Sequence, residues 1–148
     1  MRIVRSDEEG LEAAAKILLA GGVAVIPTDT VYGLAAHPDF PEAVDRLYTI
    51  KGREAKKPIA LLAASVEATP VKHRLTEKWP GGLTIVFDGE GYRVPDHDWT
   101  RRLLAKCGGL LRVTTPSPLG ICFLCPCVYL CFANKMVYAI FLGSTYMY

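Results

Sequence analysis

Gly22-Val23-Ala24-Val25-Ile26-Pro27-Thr28-Asp29-Thr30-Val31-Tyr32-Gly33 is the stretch on which the fold turns. Val23-Ala24-Val25-Ile26 is short and continuously apolar, the pattern of a strand buried on both faces. Pro27 ends it, and a polar loop over residues 28–33 follows. Immediately upstream, Gly21-Gly22 supplies a stop for a helix, since glycine accepts the left-handed conformation beyond a helix end. That helix shows Leu11, Ala14, Ala15, Leu18 and Leu19 at helical spacing. Ser6 with Glu9 three residues on reads as its capping box.

Downstream of the loop, a second helix is expected near Pro41, with Val44, Leu47 and Tyr48 on its inner face. It runs into Lys51-Gly52-Arg53 and on through Lys56 and Lys57. A buried strand is expected from Ile59 to Ala63, and a short helix from Pro70 to Lys78 with Thr69 as its cap. Trp79-Pro80-Gly81-Gly82 reads as a turn. Leu83, Ile85 and Phe87 alternate with Thr84 and Val86 as in a strand, and Tyr92-Arg93-Val94 reads as another. Asp98 caps a helix through Leu103 and Leu104 that stops at Gly108-Gly109, and Leu110 to Val113 is one more strand. Helices and strands alternate throughout, which predicts an α/β domain: an open sheet with helices packed on it.

The 148 residues are enough for one domain with a single core, without disulfides or metal. A composition 51% hydrophobic and 22% charged excludes a disordered chain. A net charge of +2 is too small to argue nucleic-acid binding from the total. The N-terminal Met1-Arg2-Ile3-Val4-Arg5-Ser6-Asp7-Glu8-Glu9 has no apolar leader region, so a cytoplasmic location is expected. Cys122, Cys125, Cys127 and Cys131 crowd together near the C-terminus and only Cys107 lies elsewhere, which argues against a disulfide-stapled secreted domain.

Three segments are candidates for a common site. The loop at 28–33 follows a buried strand, and ligands of open α/β sheets sit outside strand ends. Lys51, Arg53, Lys56 and Lys57 form a basic run. Arg93 is a lone cation in an apolar strand and needs an anionic partner if its head is buried. Each also has a plain structural reading: turn chemistry for the loop, a solvated face for the basic run, and a surface salt bridge for Arg93. Neither a Walker-type run nor a dinucleotide fingerprint occurs. Pattern alone reaches an α/β domain with a candidate anion site.

The same residues resemble a known family. Gly22 through Leu34 is similar to the opening signature of the YrdC family, and Ile50-Lys51-Gly52-Arg53 with Lys57-Pro58-Ile59-Ala60-Leu61-Leu62 resembles its Lys-x-Arg segment. Trp79-Pro80-Gly81-Gly82-Leu83-Thr84 resembles its Trp-Pro-Gly-Pro-Leu-Thr turn, and Arg93-Val94-Pro95-Asp96-His97 its Arg-Val-Pro strand end. The resemblance implies a twisted, mixed open sheet with flanking helices. It also implies an L-threonylcarbamoyladenylate synthase, which joins L-threonine, bicarbonate and ATP and releases pyrophosphate. A downstream tRNA threonylcarbamoyl transferase then passes the group to an adenosine of tRNA. By the same resemblance Lys51 and Arg53 are catalytic and hold ATP, with Lys57 and Ser117 assisting at the nucleotide. Thr28, Thr30, Tyr32, Arg93 and Thr115 bind threonine and bicarbonate, and Mg2+ accompanies the triphosphate without protein side-chain ligands.

The match weakens toward the end. The family's Ser-x-Asn signature aligns with Thr115 and Ser117, so the serine keeps a hydroxyl but the asparagine loses its amide. From Ile121 to Tyr148 nothing matches. Residues 1–120 are therefore expected to form an incomplete YrdC-like domain, with the C-terminal strands missing or replaced, and 121–148 an unrelated hydrophobic tail rich in cysteine and aromatics. The tail admits three readings: a membrane span, for which about 20 apolar residues suffice; a metal site on Cys122, Cys125 and Cys127; or a segment foreign to the family, produced by altered splicing or a frameshift. Impaired activity is expected on these grounds. Two alternatives stand beside the enzyme: a module binding tRNA or double-stranded RNA through Lys51, Arg53, Lys56, Lys57, Lys72 and Arg74, or a non-functional truncated isoform.

Overall fold

Helix α1 (Glu8–Leu19) opens where Asp7 takes the N-cap, its carboxylate accepting the Gly10 N–H at 2.9 Å. The expected box of Ser6 with Glu9 is not what starts this helix. It begins one residue later than that reading requires, so Glu8 and Glu9 fill the first turn, where acids favour the positive end of the helix dipole. Gly10 is needed for a close approach: a Cβ there would lie 1.7 Å from the Arg5 carbonyl oxygen, at the end of strand β1 (Arg2–Arg5). The helix stops as its glycines predict. Gly21 has φ +76°, its N–H donates to the Leu18 carbonyl at 3.1 Å, and that of Gly22 donates to Ile17 at 2.8 Å, the two bonds of a Schellman motif.

The computed structural model describes residues 2–51, 58–114 and 136–140, of which 2, 3, 51 and 136–140 by their backbone alone. After β1 and α1 come β2 (Val23–Ile26), β3 (Gly33–Ala36), α2 (Pro41–Lys51), β4 (Leu61–Ala63), β5 (Ile85–Phe87), β6 (Glu90–Arg93), α3 (Asp98–Lys106), β7 (Leu110–Thr114) and β8 (Met136–Ile140). The described strands form one sheet in the order β1-β8-β2-β3-β7-β4-β6-β5. Only β4 and β6 run parallel; the other neighbours are antiparallel. The mixed open α/β sheet read from the sequence is therefore the fold.

Alternation along β2 and β3 sorts the core into two layers. Ala24, Ile26 and Ala35 face Leu11, Ala14 and Leu18 of α1 and Trp99, Leu103 and Leu104 of α3. Val23, Leu34 and Ala36 face Ala43 and Leu47 of α2 on the other side. This is why β2 carries no polar residue: both of its faces are covered. Exposed pairs of Glu8 with Arg102 and Glu12 with Lys106 lace α1 to α3, and the Trp99 indole donates to the Asp7 carbonyl at 3.1 Å. A third cluster, with Val71, Trp79, Tyr92 and Val94, fills the space under residues 66–79.

Several local expectations change. Strand β3 was not foreseen; it is short and alanine-rich, and its role comes from pairing with β2 and β7. The helix expected from Pro70 to Lys78 is a 3-10 turn over Arg74–Lys78 with His73 as its cap. Thr69 lies upstream of it: its hydroxyl donates back to the Val66 carbonyl at 2.8 Å, closing the preceding turn, and accepts from the Val71 N–H at 3.4 Å. The strand expected from Ile59 begins at Leu61, and that expected from Leu83 begins at Ile85 on the sheet edge, leaving Val86 72% exposed. Asp88 and Gly89, both with positive φ, make the two-residue hairpin turn joining β5 to β6. His97, not Asp98, caps α3, its Nδ1 accepting from the Thr100 N–H at 3.3 Å.

The expected tail contributes to the sheet. Within it β8 lies between β1 and β2, with Val4 opposite Val137 and Val25 opposite Tyr138. That strand comes from the residues that the sequence reading set apart as an unrelated tail. Cys122, Cys125, Cys127 and Cys131, on which the metal reading rests, lie outside the described residues. Among the described residues no helix is long and apolar enough to cross a membrane.

Candidate active site

The loop between β2 and β3 is built around one hydroxyl. Thr28 Oγ1 accepts from the backbone N–H groups of Thr30 and Val31, each at 3.2 Å, and donates to the Val31 carbonyl at 2.6 Å. This local bonding is turn chemistry. It reverses the chain, so that Ile26 pairs with Gly33 and residues 27–32 project beyond the end of the sheet. Thr30 Oγ1 lies 3.2 Å from Thr28 Oγ1. Since the Thr28 proton is committed to Val31, Thr30 donates in that contact.

Arg93 closes the loop from the side. It ends β6, and its guanidinium divides among three acceptors: Nε donates to the Gly81 carbonyl at 2.8 Å, Nη1 to Thr30 Oγ1 at 3.1 Å, and Nη2 to Asp29 Oδ1 at 2.5 Å. The side chains of Arg93 and Asp29 are 14% and 15% exposed, so the pair is shielded but reachable. The Trp79-Pro80-Gly81-Gly82 turn is held in place by the Gly81 N–H on the Val94 carbonyl at 2.8 Å and by the Trp79 indole on the Leu83 carbonyl at 2.7 Å. Three sequence motifs thus meet at one arginine. Its anionic partner, Asp29, was not among the candidates, although an acid between two threonines opposite a lone buried cation is a signal that charge balance could have supplied.

The loop is also tied from beneath. Thr100, fully buried near the start of α3, donates its hydroxyl to the Pro27 carbonyl at 2.6 Å, and His97 Nδ1 lies 3.0 Å from Thr100 Oγ1. Sequence reasoning missed both residues: a threonine in a helix's first turn carries no functional signature. A second ion pair stands across the sheet, where Arg112 of β7 holds Glu90 of β6. The Arg112 hydrogen bond keeps the Glu90 carboxyl below its ordinary range, and Glu90 raises Arg112 in return.

Thr28, Thr30 and Arg93 are therefore gathered, and Tyr32 is half-buried in the same loop. Lys51 is the last residue of α2, which packs against β2 and β3. Its side chain, with Arg53, Lys57, Thr115 and Ser117, lies outside what the structure describes. β7 ends at Thr114 opposite Leu34, one residue along from Gly33, at the edge of this loop.

The Sua5/YciO/YrdC family model, described as telomere recombination, matches residues 16–120. A threonylcarbamoyl-AMP synthase of Bos taurus is 32% identical over 130 residues, which cover 74% of this chain and 47% of that protein. One from Marinobacter nauticus is 34% identical over 134 residues, covering 74% of this chain and 70% of that one. The chain thus spans about half the length of the mammalian relative. Among solved structures, P. abyssi Sua5 complexed with L-threonine superposes with a TM-score of 0.64 at 27% identity, over 73% of this chain and 38% of that chain.

Proposed function

This chain belongs to the Sua5/YciO/YrdC family, and from that membership we propose that it makes L-threonylcarbamoyladenylate from L-threonine, bicarbonate and ATP, releasing pyrophosphate. The observation that carries the reading is the junction at Arg93, where the Thr28–Thr30 loop, the Trp79–Gly82 turn and the β6 strand end converge on one cation. Such a point suits the carboxylate of an amino acid, because guanidinium binds carboxylates in a fixed fork geometry. The named relatives, and the L-threonine bound in the P. abyssi structure, support the same substrate.

In this proposal Arg93 pairs with the threonine carboxylate, while Thr28, Thr30 and Tyr32 line that end of the site. Thr115 sits with them, and Ser117 faces the nucleotide. Lys51 and Arg53, with Lys57 assisting, hold the triphosphate and stabilise charge that develops at the α-phosphorus as pyrophosphate departs. No covalent enzyme intermediate is required; fixed positions and fixed charges supply the rate. Magnesium would arrive on the phosphates of ATP. The described residues hold no cluster of three or more His, Cys, Asp or Glu suited to a metal. A cytoplasmic location and a tRNA threonylcarbamoyl transferase that consumes the adenylate belong to the same proposal.

We place the site within residues 1–120 and assign 121–148 the lesser role of lending a strand to the sheet. The Ser117 position lacks the amide of the family's asparagine, so turnover is expected to be weak. The test is pyrophosphate release by the full chain, which should require ATP, bicarbonate and L-threonine together. Restoring serine at 115 and asparagine at 117, with a family-like ending, should raise it. A folded, restored chain without threonine-dependent release would defeat the synthase reading. RNA binding that is steeply salt-dependent and indifferent to ATP would favour the binding-module alternative.

A further inference from the structure

We infer that Asp29 is a specificity-determining residue: together with Arg93 it makes a dipolar site matched to the paired ammonium and carboxylate of a free amino acid, and not to a simple anion. The inference rests on the threonine reading given above and goes beyond it by assigning a role to a side chain that the sequence motifs left without one.

The geometry is specific. A guanidinium has five N–H donors. Arg93 spends three of them on Gly81, Thr30 and Asp29, so one remains on each terminal nitrogen. Those two can meet a carboxylate. Asp29 touches Arg93 through Oδ1, which leaves Oδ2 as an acceptor beside them. Both side chains are about one-seventh exposed, shielded enough for charge to count and open enough for a ligand to reach.

Charge decides what such a site prefers. A lone, shielded arginine would take any small anion, including the bicarbonate that the proposed reaction brings nearby. With Asp29 beside it the local charge sums to zero, so a bare anion gains attraction from Arg93 and repulsion from Asp29. An amino acid at neutral pH carries both signs, and its ammonium gives Asp29 a donor while its carboxylate takes the spare N–H groups. Asp29 also cannot drift away to accommodate another ligand. Its loop is pinned by the Thr28 turn, by Thr30 on the same guanidinium, and by Thr100 on the Pro27 carbonyl.

The test compares two ligands on the full chain by calorimetry: L-threonine and its α-hydroxy analogue, which keeps the carboxylate and replaces the ammonium with a hydroxyl. In the unaltered chain L-threonine should bind more tightly. Asp29→Asn, which keeps the shape and removes the charge, should weaken L-threonine by roughly tenfold or more, the scale of a hydrogen bond to a charged group. It should leave the analogue within roughly twofold of its original affinity or tighten it, because the repulsive charge is gone. Equal loss for both ligands, or an unchanged affinity for L-threonine, would overturn the inference while leaving the threonine site standing. The comparison in the unaltered chain needs no variant to fold, and equal affinity there overturns it as well. If the unaltered chain binds neither ligand, the threonine reading fails and takes this inference with it.

Discussion

Arg112 reaches past the start of β4 to hold Glu90 of β6 in a two-pronged grip, Nη2 on Oε1 at 3.0 Å and Nη1 on Oε2 at 2.5 Å, while Nη1 also donates to the Ile59 carbonyl at 2.7 Å. One side chain of β7 thereby fixes the hairpin that leads to Arg93 and the segment around Ile59 that leads into β4. The planar fork meets both carboxylate oxygens and still reaches the carbonyl, a bidentate geometry that a lysine ammonium does not present.

Acid should release this grip. The Glu90 carboxyl is held below its ordinary value near 4.5, chiefly by the Arg112 hydrogen bond. A carboxylate depressed in the folded state contributes stability above its unfolded pKa, and that contribution is lost as pH falls through the folded value. Glu90 is 35% exposed, so screening limits the effect to about 1 kcal/mol. Urea midpoints followed from neutral pH into the acid range should fall less steeply for Glu90→Gln than for the unaltered chain. Parallel curves would show that the pair contributes nothing measurable.

Thr100→Val keeps the size of the side chain and deletes the donor to the Pro27 carbonyl. A buried carbonyl left without its partner costs about 1–3 kcal/mol. The urea midpoint should drop with an unchanged slope, and the affinity for L-threonine should weaken because the loop loses its anchor. A variant as stable as the parent would mean that the carbonyl finds another donor.

Ending the chain at residue 135 should harm the fold. Among the described residues β8 is the strand partner of β1 and covers the free edge of β2. Without it β1 loses its partner among the described strands, and an apolar strand of the sheet becomes an open edge that invites association with other chains. The shortened protein is expected to aggregate, read by light scattering, and to lose hydrogen-exchange protection at Val4 and Val25. A monomeric product with protected β2 amides would show that β8 is dispensable.

Cys107 provides a probe of unfolding. Burial pushes its thiol up to about 11, and the side chain is fully enclosed between α3 and the sheet. The thiolate is the reactive form, so alkylation in the native state should be slow and should accelerate sharply in urea. Mapping the modified peptide separates Cys107 from the cysteines of residues 121–135. Rapid native alkylation would place this thiol at the surface.

The elements legible in the sequence were those whose cause is local. The stripe from Leu11 to Leu18 and the glycines at 21 and 22 define α1 and its stop, because helix periodicity and left-handed caps are properties of neighbouring residues. Val23–Ile26 announces a doubly covered strand for the same reason. Tertiary structure decided whatever depends on a distant partner. Strand β3 exists because β2 and β7 flank it. No local pattern in residues 136–140 places them between β1 and β2; strand pairing is satisfied across the whole chain. The candidate site divides along the same line. Thr28, Thr30 and Arg93 could be singled out one by one, but Asp29 as the counter-charge and Thr100 as the anchor emerged only once residues 64 and 73 positions apart were brought into contact. Periodicity and capping are short-range and written in the order of residues, whereas charge balance and buried hydrogen bonding are settled only when the chain has closed on itself.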